Sequence, residues 1–157
     1  MELSDAAATE NLGRDLVTLL PEDCSGWMIL LQGELGAGKS TLARSMLRTF
    51  GYQGIVPSPT YTLVEPYQID DKIIYHVDLY RIADESECEF LGWSDLRDGL
   101  LLIEWPERIE ELTRQGDVLI ELSYLGDGRN AEILGLSDRG RETIISEFIE
   151  NEDRMVK

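Results

Sequence analysis

Nine consecutive residues have a spacing that phosphate chemistry explains: Gly33-Glu34-Leu35-Gly36-Ala37-Gly38-Lys39-Ser40-Thr41. They match G-x-x-x-x-G-K-[ST], the P-loop pattern. The glycines let the backbone curl with its N–H groups inward around an anion. The helix that starts near Lys39 aims its partly positive end at the same point. Lys39 has the reach for β- and γ-phosphates, the Ser40 hydroxyl suits Mg²⁺, and Thr41, one residue deeper, can donate to an α-phosphate. The competing reading is a glycine-rich turn that happens to contain Lys-Ser. An apolar run before it, Met28 to Leu31, and a helical run after it, Leu42 to Leu47, favour the phosphate cradle.

A P-loop enzyme needs an acid at the end of a neighbouring apolar strand to hold Mg²⁺ directly or through water. Asp78 ends Lys72–Asp78 and Glu104 ends Leu100–Glu104. The lead-in to Glu104 is the cleaner apolar run, which makes Glu104 the better Walker B candidate. Asp78 sits in a polar cluster with Tyr80 and Arg81. One acid would ligate the metal while the other orients the attacking water; a capping or salt-bridged acid is the plainer alternative for each. Ser58-Pro59-Thr60-Tyr61-Thr62-Leu63-Val64-Glu65-Pro66-Tyr67 follows the P-loop helix, where a switch segment would sense the γ-phosphate. The same residues fit an edge strand with Tyr61, Leu63 and Tyr67 alternating. His76 reads as a hydrogen-bonded core histidine, and Trp105 as either a core residue or a wall beside the nucleotide.

The elements that must position these groups follow in order. Ser4 can cap a helix to about Leu20, with Ala8, Leu12 and Leu16 on one face. Trp27 to Leu31 reads as a strand buried on both sides, and the P-loop helix ends at Phe50-Gly51. Asp70-Asp71 is a turn, and residues 84 to 98 are acidic and helical in part. Glu107 to Leu112 fits a short helix, and Asp117 to Tyr124 a strand. A turn at Gly126-Asp127-Gly128 returns the chain as an antiparallel partner over Arg129 to Leu134. Gly140 to Ile149 fits either strand or helix, and the tail from Glu150 to Lys157 reads as frayed. The expected architecture is one α/β domain over residues 1–157: a central, mostly parallel sheet flanked by helices, with a C-terminal antiparallel hairpin.

Bulk properties narrow the function classes. The 157 residues carry 31 acidic and 14 basic side chains, a net charge of −17. Direct nucleic-acid binding needs clustered Lys and Arg, so this balance argues against it; it suits a more basic protein partner and equally a plain acidic, well-solvated surface. Met1 to Leu20 carries Glu2, Asp5, Glu10, Arg14 and Asp15 where a signal peptide would be apolar. No stretch approaches the roughly 18 apolar residues of a membrane span. Cys24 and Cys88 make no disulfide framework, and a single histidine leaves no zinc cluster. These features fit a cytoplasmic protein without a membrane partner. Guanine recognition through N-K-x-D is missing, and no D-x-x-G follows the P-loop, which favours ATP over GTP.

Four ordered segments together resemble the TsaE (formerly YjeE) family: Gly33 to Thr41, Ser58 to Tyr67, His76-Val77-Asp78-Leu79-Tyr80-Arg81, and Leu102-Ile103-Glu104-Trp105-Pro106. The resemblance extends to the leading helix and to Gly128-Arg129-Asn130-Ala131. It implies an ATP-binding, slowly hydrolysing P-loop protein with Mg²⁺, required for threonylcarbamoyladenosine in tRNA. It also implies action with a TsaB–TsaD complex, with tRNA met only through that complex. It places the metal on Ser40 and Glu104, with Asp78 as a further acid, and chemistry on Lys39, Thr60, Asp78 and Glu104. The nucleotide falls on Gly33, Leu35, Gly36, Ala37, Gly38, Lys39, Ser40 and Thr41, with Gly128 and the N-terminal segment closing part of the pocket. The family usually has Thr at position 40; Ser supplies the same hydroxyl. A small-molecule kinase, with Arg81 and Arg108 closing over the phosphates, and a non-catalytic nucleotide-binding adaptor share the core motif.

Overall fold

Unbroken apolar runs in the middle of the chain decide the architecture, because they must be covered on both faces. Met28, Ile29, Leu30 and Leu31 are all essentially inaccessible to solvent. A fully buried side chain of this kind contributes about 1.5–3 kcal/mol, so this strand alone demands two covering layers. The computed structural model describes residues 1–145 and residue 148. In chain order its elements are β1 (Glu2–Leu3), α1 (Ala6–Leu19), β2 (Met28–Gly33), α2 (Lys39–Phe50), β3 (Val64–Ile69) and β4 (Lys72–Asp78). Then come two 3₁₀ segments (Glu85–Leu91 and Trp93–Asp98), β5 (Leu100–Glu104), a 3₁₀ turn (Pro106–Arg108), α3 (Glu111–Gln115), β6 (Val118–Leu125) and β7 (Gly128–Gly135). A short α4 (Asp138–Gly140) runs into a π-helical stretch, Arg141–Ile145.

The seven strands form one mixed sheet in the order β1-β7-β6-β2-β5-β4-β3. Its centre, β6-β2-β5-β4, is parallel throughout, and the antiparallel pairs lie at the two edges. Side-chain alternation divides the core. Ile29, Leu31, Leu100 and Leu102 pack with α1 and α2 on one face. Met28, Leu30, Leu101 and Ile103 pack with the 3₁₀ segments and Leu112 of α3 on the other. The register sets Asp78 opposite Glu104 and Leu31 opposite Glu104, so both acids come out at the carboxyl ends of adjacent strands beside the end of β2. Open α/β sheets bind ligands in the crevice at that edge.

Several local expectations change. The cap of α1 is Asp5, not Ser4: its carboxylate accepts from the Ala8 N–H at 2.8 Å. The preceding Glu2 and Leu3 are drawn off to pair with Asn130 and Arg129 as β1. Tyr61 and Leu63 are not strand residues. Tyr61 is 77% exposed in a turn, Leu63 has φ 66°, and β3 begins only at Val64. The helix expected over Glu107–Leu112 is split because Ile109 is extended (φ −132°), giving the Pro106–Arg108 turn and then α3. The segment from Gly140 is helical as far as Ile145; positions 146, 147 and 149, and the tail from 150, lie outside the described residues. Among the described residues no helix is long and apolar enough to cross a membrane.

Candidate functional site

The loop between β2 and α2 is built from the sheet upward. At Gly33 a Cβ would stand 2.4 Å from the Leu122 carbonyl, and φ is 153°, so β2 can turn into the loop here only as glycine. Gly38, also left-handed, precedes the first turn of α2, and Leu42 N–H donates to its carbonyl at 2.9 Å. Lys39 is buried, yet its Nζ donates to neutral carbonyls, Gly33 O at 2.5 Å and Glu34 O at 2.9 Å. It also lies 4.0 Å from the centre of the Trp105 ring. Burial pulls this ammonium below the ordinary lysine range, against the opposing fields of Glu104, Glu107 and Asp78. Among the described residues no acid lies within ion-pair distance of this ammonium; its direct partners are the two carbonyls and the Trp105 ring.

Ser40 and the two acids complete the front of a cleft of about 320 Å³. Ser40 Oγ stands 3.1 and 3.2 Å from the two oxygens of Glu104. Glu104 Oε1 is also held at 2.7 Å by His76 Nε2, both residues being buried. A carboxylate accepts, so that ring nitrogen donates. Asp78 makes a separate arrangement: Oδ1 accepts from Tyr80 N–H at 2.8 Å and Oδ2 from Thr60 Oγ1 at 2.9 Å. Thr60 in turn meets Ser58 Oγ at 2.8 Å.

Both acids adjoin bulky residues with left-handed backbone. Trp105, φ 60°, follows Glu104. Leu63, φ 66°, accepts the Asp78 N–H at 2.9 Å. Such conformations cost on the order of 1–3 kcal/mol each and persist where the surroundings fix them.

The structure thus gathers Lys39, Ser40, Thr60, Asp78 and Glu104 around one cleft, which Leu35, Gly36, Gly38 and Thr41 also line. Gly128 is not among them. It borders a smaller hollow of about 160 Å³ on the far side of the loop, with Gly36, Ala37, Gly38 and Thr41 forming the loop wall and Asp5 and Thr9 of the N-terminal segment also lining it. Gly33 ends β2 where the loop begins and does not line the cleft. Trp105 does both things the sequence allowed: it lines the cleft and packs against the core on that face of the sheet.

Sequence reasoning placed His76 in the core but missed that it holds Glu104. The register of β4 against β5, His76 beside Leu102, is the feature that brings them together. It also missed Tyr124 and Arg129, which reach the loop from the β6–β7 hairpin. Among the described residues no three His, Cys, Asp or Glu side chains converge as a metal cluster.

Comparisons with known proteins agree on one family. The family model described as threonylcarbamoyl adenosine biosynthesis protein TsaE matches residues 3–131. The tRNA threonylcarbamoyladenosine biosynthesis protein TsaE of Haemophilus influenzae is 49% identical over 123 residues, covering 77% of each chain. The protein of that name from Synechocystis is 40% identical over 119 residues, covering 72% of this chain and 73% of its own. The crystal structure of YdiB from Bacillus subtilis superposes with a TM-score of 0.74, covering 98% of this chain and 94% of that one; at 24% identity it speaks for the fold. With the P-loop, both strand-end acids and Gly128 to Ala131 inside the matched span, the chain belongs to the TsaE family of tRNA threonylcarbamoyladenosine biosynthesis proteins.

Proposed function

We propose that the cleft binds Mg·ATP and hydrolyses it slowly, as part of threonylcarbamoyladenosine synthesis on tRNA and in association with a TsaB–TsaD complex. One observation carries the reading. Lys39 is buried with its ammonium on Gly33 and Glu34 carbonyls, beside a hydroxyl–carboxylate pair, Ser40 and Glu104, made only of hard oxygen donors. A polyphosphate supplies the missing negative charge, and Mg²⁺ suits that donor set, drawing its remaining ligands from water and phosphate.

Each residue has a task in this reading. The loop N–H groups and Lys39 bind the β- and γ-phosphates, and Thr41 the α-phosphate. Ser40 and Glu104 hold the metal, with His76 fixing the orientation of the carboxylate. Magnesium, when bound, neutralises charge on the phosphate oxygens. Asp78 and Thr60, already hydrogen-bonded to each other, orient the attacking water at the γ-phosphate end, with Trp105 excluding bulk solvent over Lys39. Because Thr60 belongs to a loop and Asp78 to a strand, their contact is the one that nucleotide state can make or break.

A nucleotide-dependent change at the rim would alter the surface offered to a protein partner. The net charge of −17 supports contact with tRNA through such a partner rather than directly. The test is ATP hydrolysis and ATP-dependent association measured with purified TsaB–TsaD. Wild-type protein is expected to associate only with nucleotide, and Lys39→Ala to abolish association and modification together. Intact modification with Lys39→Ala would refute the proposal.

A further inference from the structure

The β6–β7 hairpin touches the phosphate loop through two side chains that the roles above leave unused. Four consecutive carbonyls of that loop each have a side-chain donor. Lys39 Nζ serves Gly33 O and Glu34 O from inside. From outside, Tyr124 Oη donates to Leu35 O at 2.6 Å, and the Arg129 guanidinium donates to Gly36 O at 3.1 Å. Arg129 is anchored where it stands: it donates to Gly128 O at 2.8 Å and Asp127 O at 3.4 Å. Its guanidinium also stacks 4.2 Å from the centre of the Tyr124 ring. At Gly36, φ is +77°, and a Cβ there would stand 2.7 Å from Tyr124 Oη. Glycine at position 36 suits the positive φ and leaves room for the Tyr124 hydroxyl.

We propose that Arg129 and Tyr124 form a clasp that sets the peptide planes of the outer arm of the phosphate loop, making Arg129 a positioning residue for nucleotide binding. The inference rests on the nucleotide reading of the cleft. A trans peptide is planar, so a carbonyl fixed toward the hairpin sends the next N–H to the opposite side. Holding Leu35 O therefore directs the Gly36 N–H away from the hairpin. Lys39 does not do this work: two of its three N–H donors are on Gly33 O and Glu34 O, and the third is left for a phosphate. The two hairpin donors do not compete for the phosphate and stay in place. Preorganising the loop in this way removes ordering cost from binding. Lysine at 129 could not replace the arginine: it has no planar fork for three carbonyls and no flat face for the Tyr124 ring.

The test compares Arg129→Ala, Arg129→Lys and Tyr124→Phe in the full chain by two readouts. The first is amide hydrogen exchange at residues 35–37 without nucleotide, with β5 as the internal reference. The second is affinity for Mg·ADP by calorimetry. Exchange at 35–37 is expected to rise in Arg129→Ala and Tyr124→Phe while β5 stays protected. Affinity is expected to fall about five- to tenfold in Arg129→Ala, the loss of one charge-assisted contact, with only partial recovery in Arg129→Lys. Exchange at 35–37 that stays at the wild-type level, or rises equally in β5, would overturn the clasp. So would Mg·ADP affinity within twofold of wild type in all three variants. Should Arg129→Ala fail to fold, Arg129→Lys and Tyr124→Phe carry the same comparison. A wild-type protein that bound no Mg·ADP would defeat the nucleotide reading instead, and the exchange readout would still decide the clasp.

Discussion

The two ends of the parallel strands use the same chemical groups to opposite effect. At the amino end, Asp117 is buried and saturated. Its carboxylate accepts from Met28 N–H at 3.0 Å, Ser137 Oγ at 2.6 Å, and Arg139 at 2.7 and 2.8 Å. Arg139 also donates to Gly26 O and lies over the Trp27 ring. Cation, hydroxyl and acid there satisfy one another and tie the start of β2 to the chain beyond β7. At the carboxyl end a cation, a hydroxyl and an acid line one cleft, but Lys39 donates to carbonyls while Glu104 is held by Ser40 and His76. Among the described residues Lys39 has no direct acid partner. A polar cluster that closes on itself stabilises a fold; one whose cation has no direct acid partner is where the proposed nucleotide would supply the charge.

That contrast can be broken from either side. The largest effect expected is from Lys39→Ala, which removes the charge-assisted contact to the β-phosphate: Mg·ADP affinity should drop about 100-fold, with thermal stability hardly changed. Next is Asp117→Asn, which leaves Arg139 without its acid. Unfolding stability should fall by about 2–3 kcal/mol in urea titration, while Mg·ADP affinity stays at the wild-type value. If Lys39→Ala unfolded the protein, or Asp117→Asn weakened binding, the division of labour would be wrong. Third, His76→Leu frees one oxygen of Glu104 from its fixed partner. The magnesium concentration needed for nucleotide binding should rise about tenfold, the usual cost of losing an outer-shell partner.

The smallest effect is acid dependence. Burial by itself pushes the Asp117 carboxyl up, but the hydrogen bonds from Arg139, Ser137 and the Met28 N–H outweigh it and leave it below the ordinary aspartate range. A carboxyl depressed in the folded state contributes stability above its unfolded value, near pH ~4, and loses it as pH falls further. The stability gap between wild type and Asp117→Asn should therefore narrow below about pH 4. A gap that stays constant down to about pH 2 would assign the effect to packing.

The carboxyl end was far more legible in the sequence than the amino end, for a physical reason. Gly33 to Thr41 is contiguous, and each acid follows its own apolar run, so local pattern alone locates Lys39, Ser40, Asp78 and Glu104. The Asp117–Arg139–Met28 lock joins positions far apart in the chain, and nothing local marks it. The same holds for His76 on Glu104 and Arg129 on Gly36, which depend on sheet register. Two-residue β1 has no periodicity to read, which makes Ser4 resemble the cap that Asp5 supplies. The left-handed backbone at Leu63 and Trp105 opposes residue preference and shows only in the fold.

One titration tests the central claim most directly: Mg·ADP into wild-type protein and into Glu104→Gln, each with and without magnesium, followed by calorimetry. The account predicts saturable binding to wild type that strengthens with magnesium, and binding to Glu104→Gln that no longer does. Equal magnesium dependence in both proteins, or no binding to wild type, would contradict it.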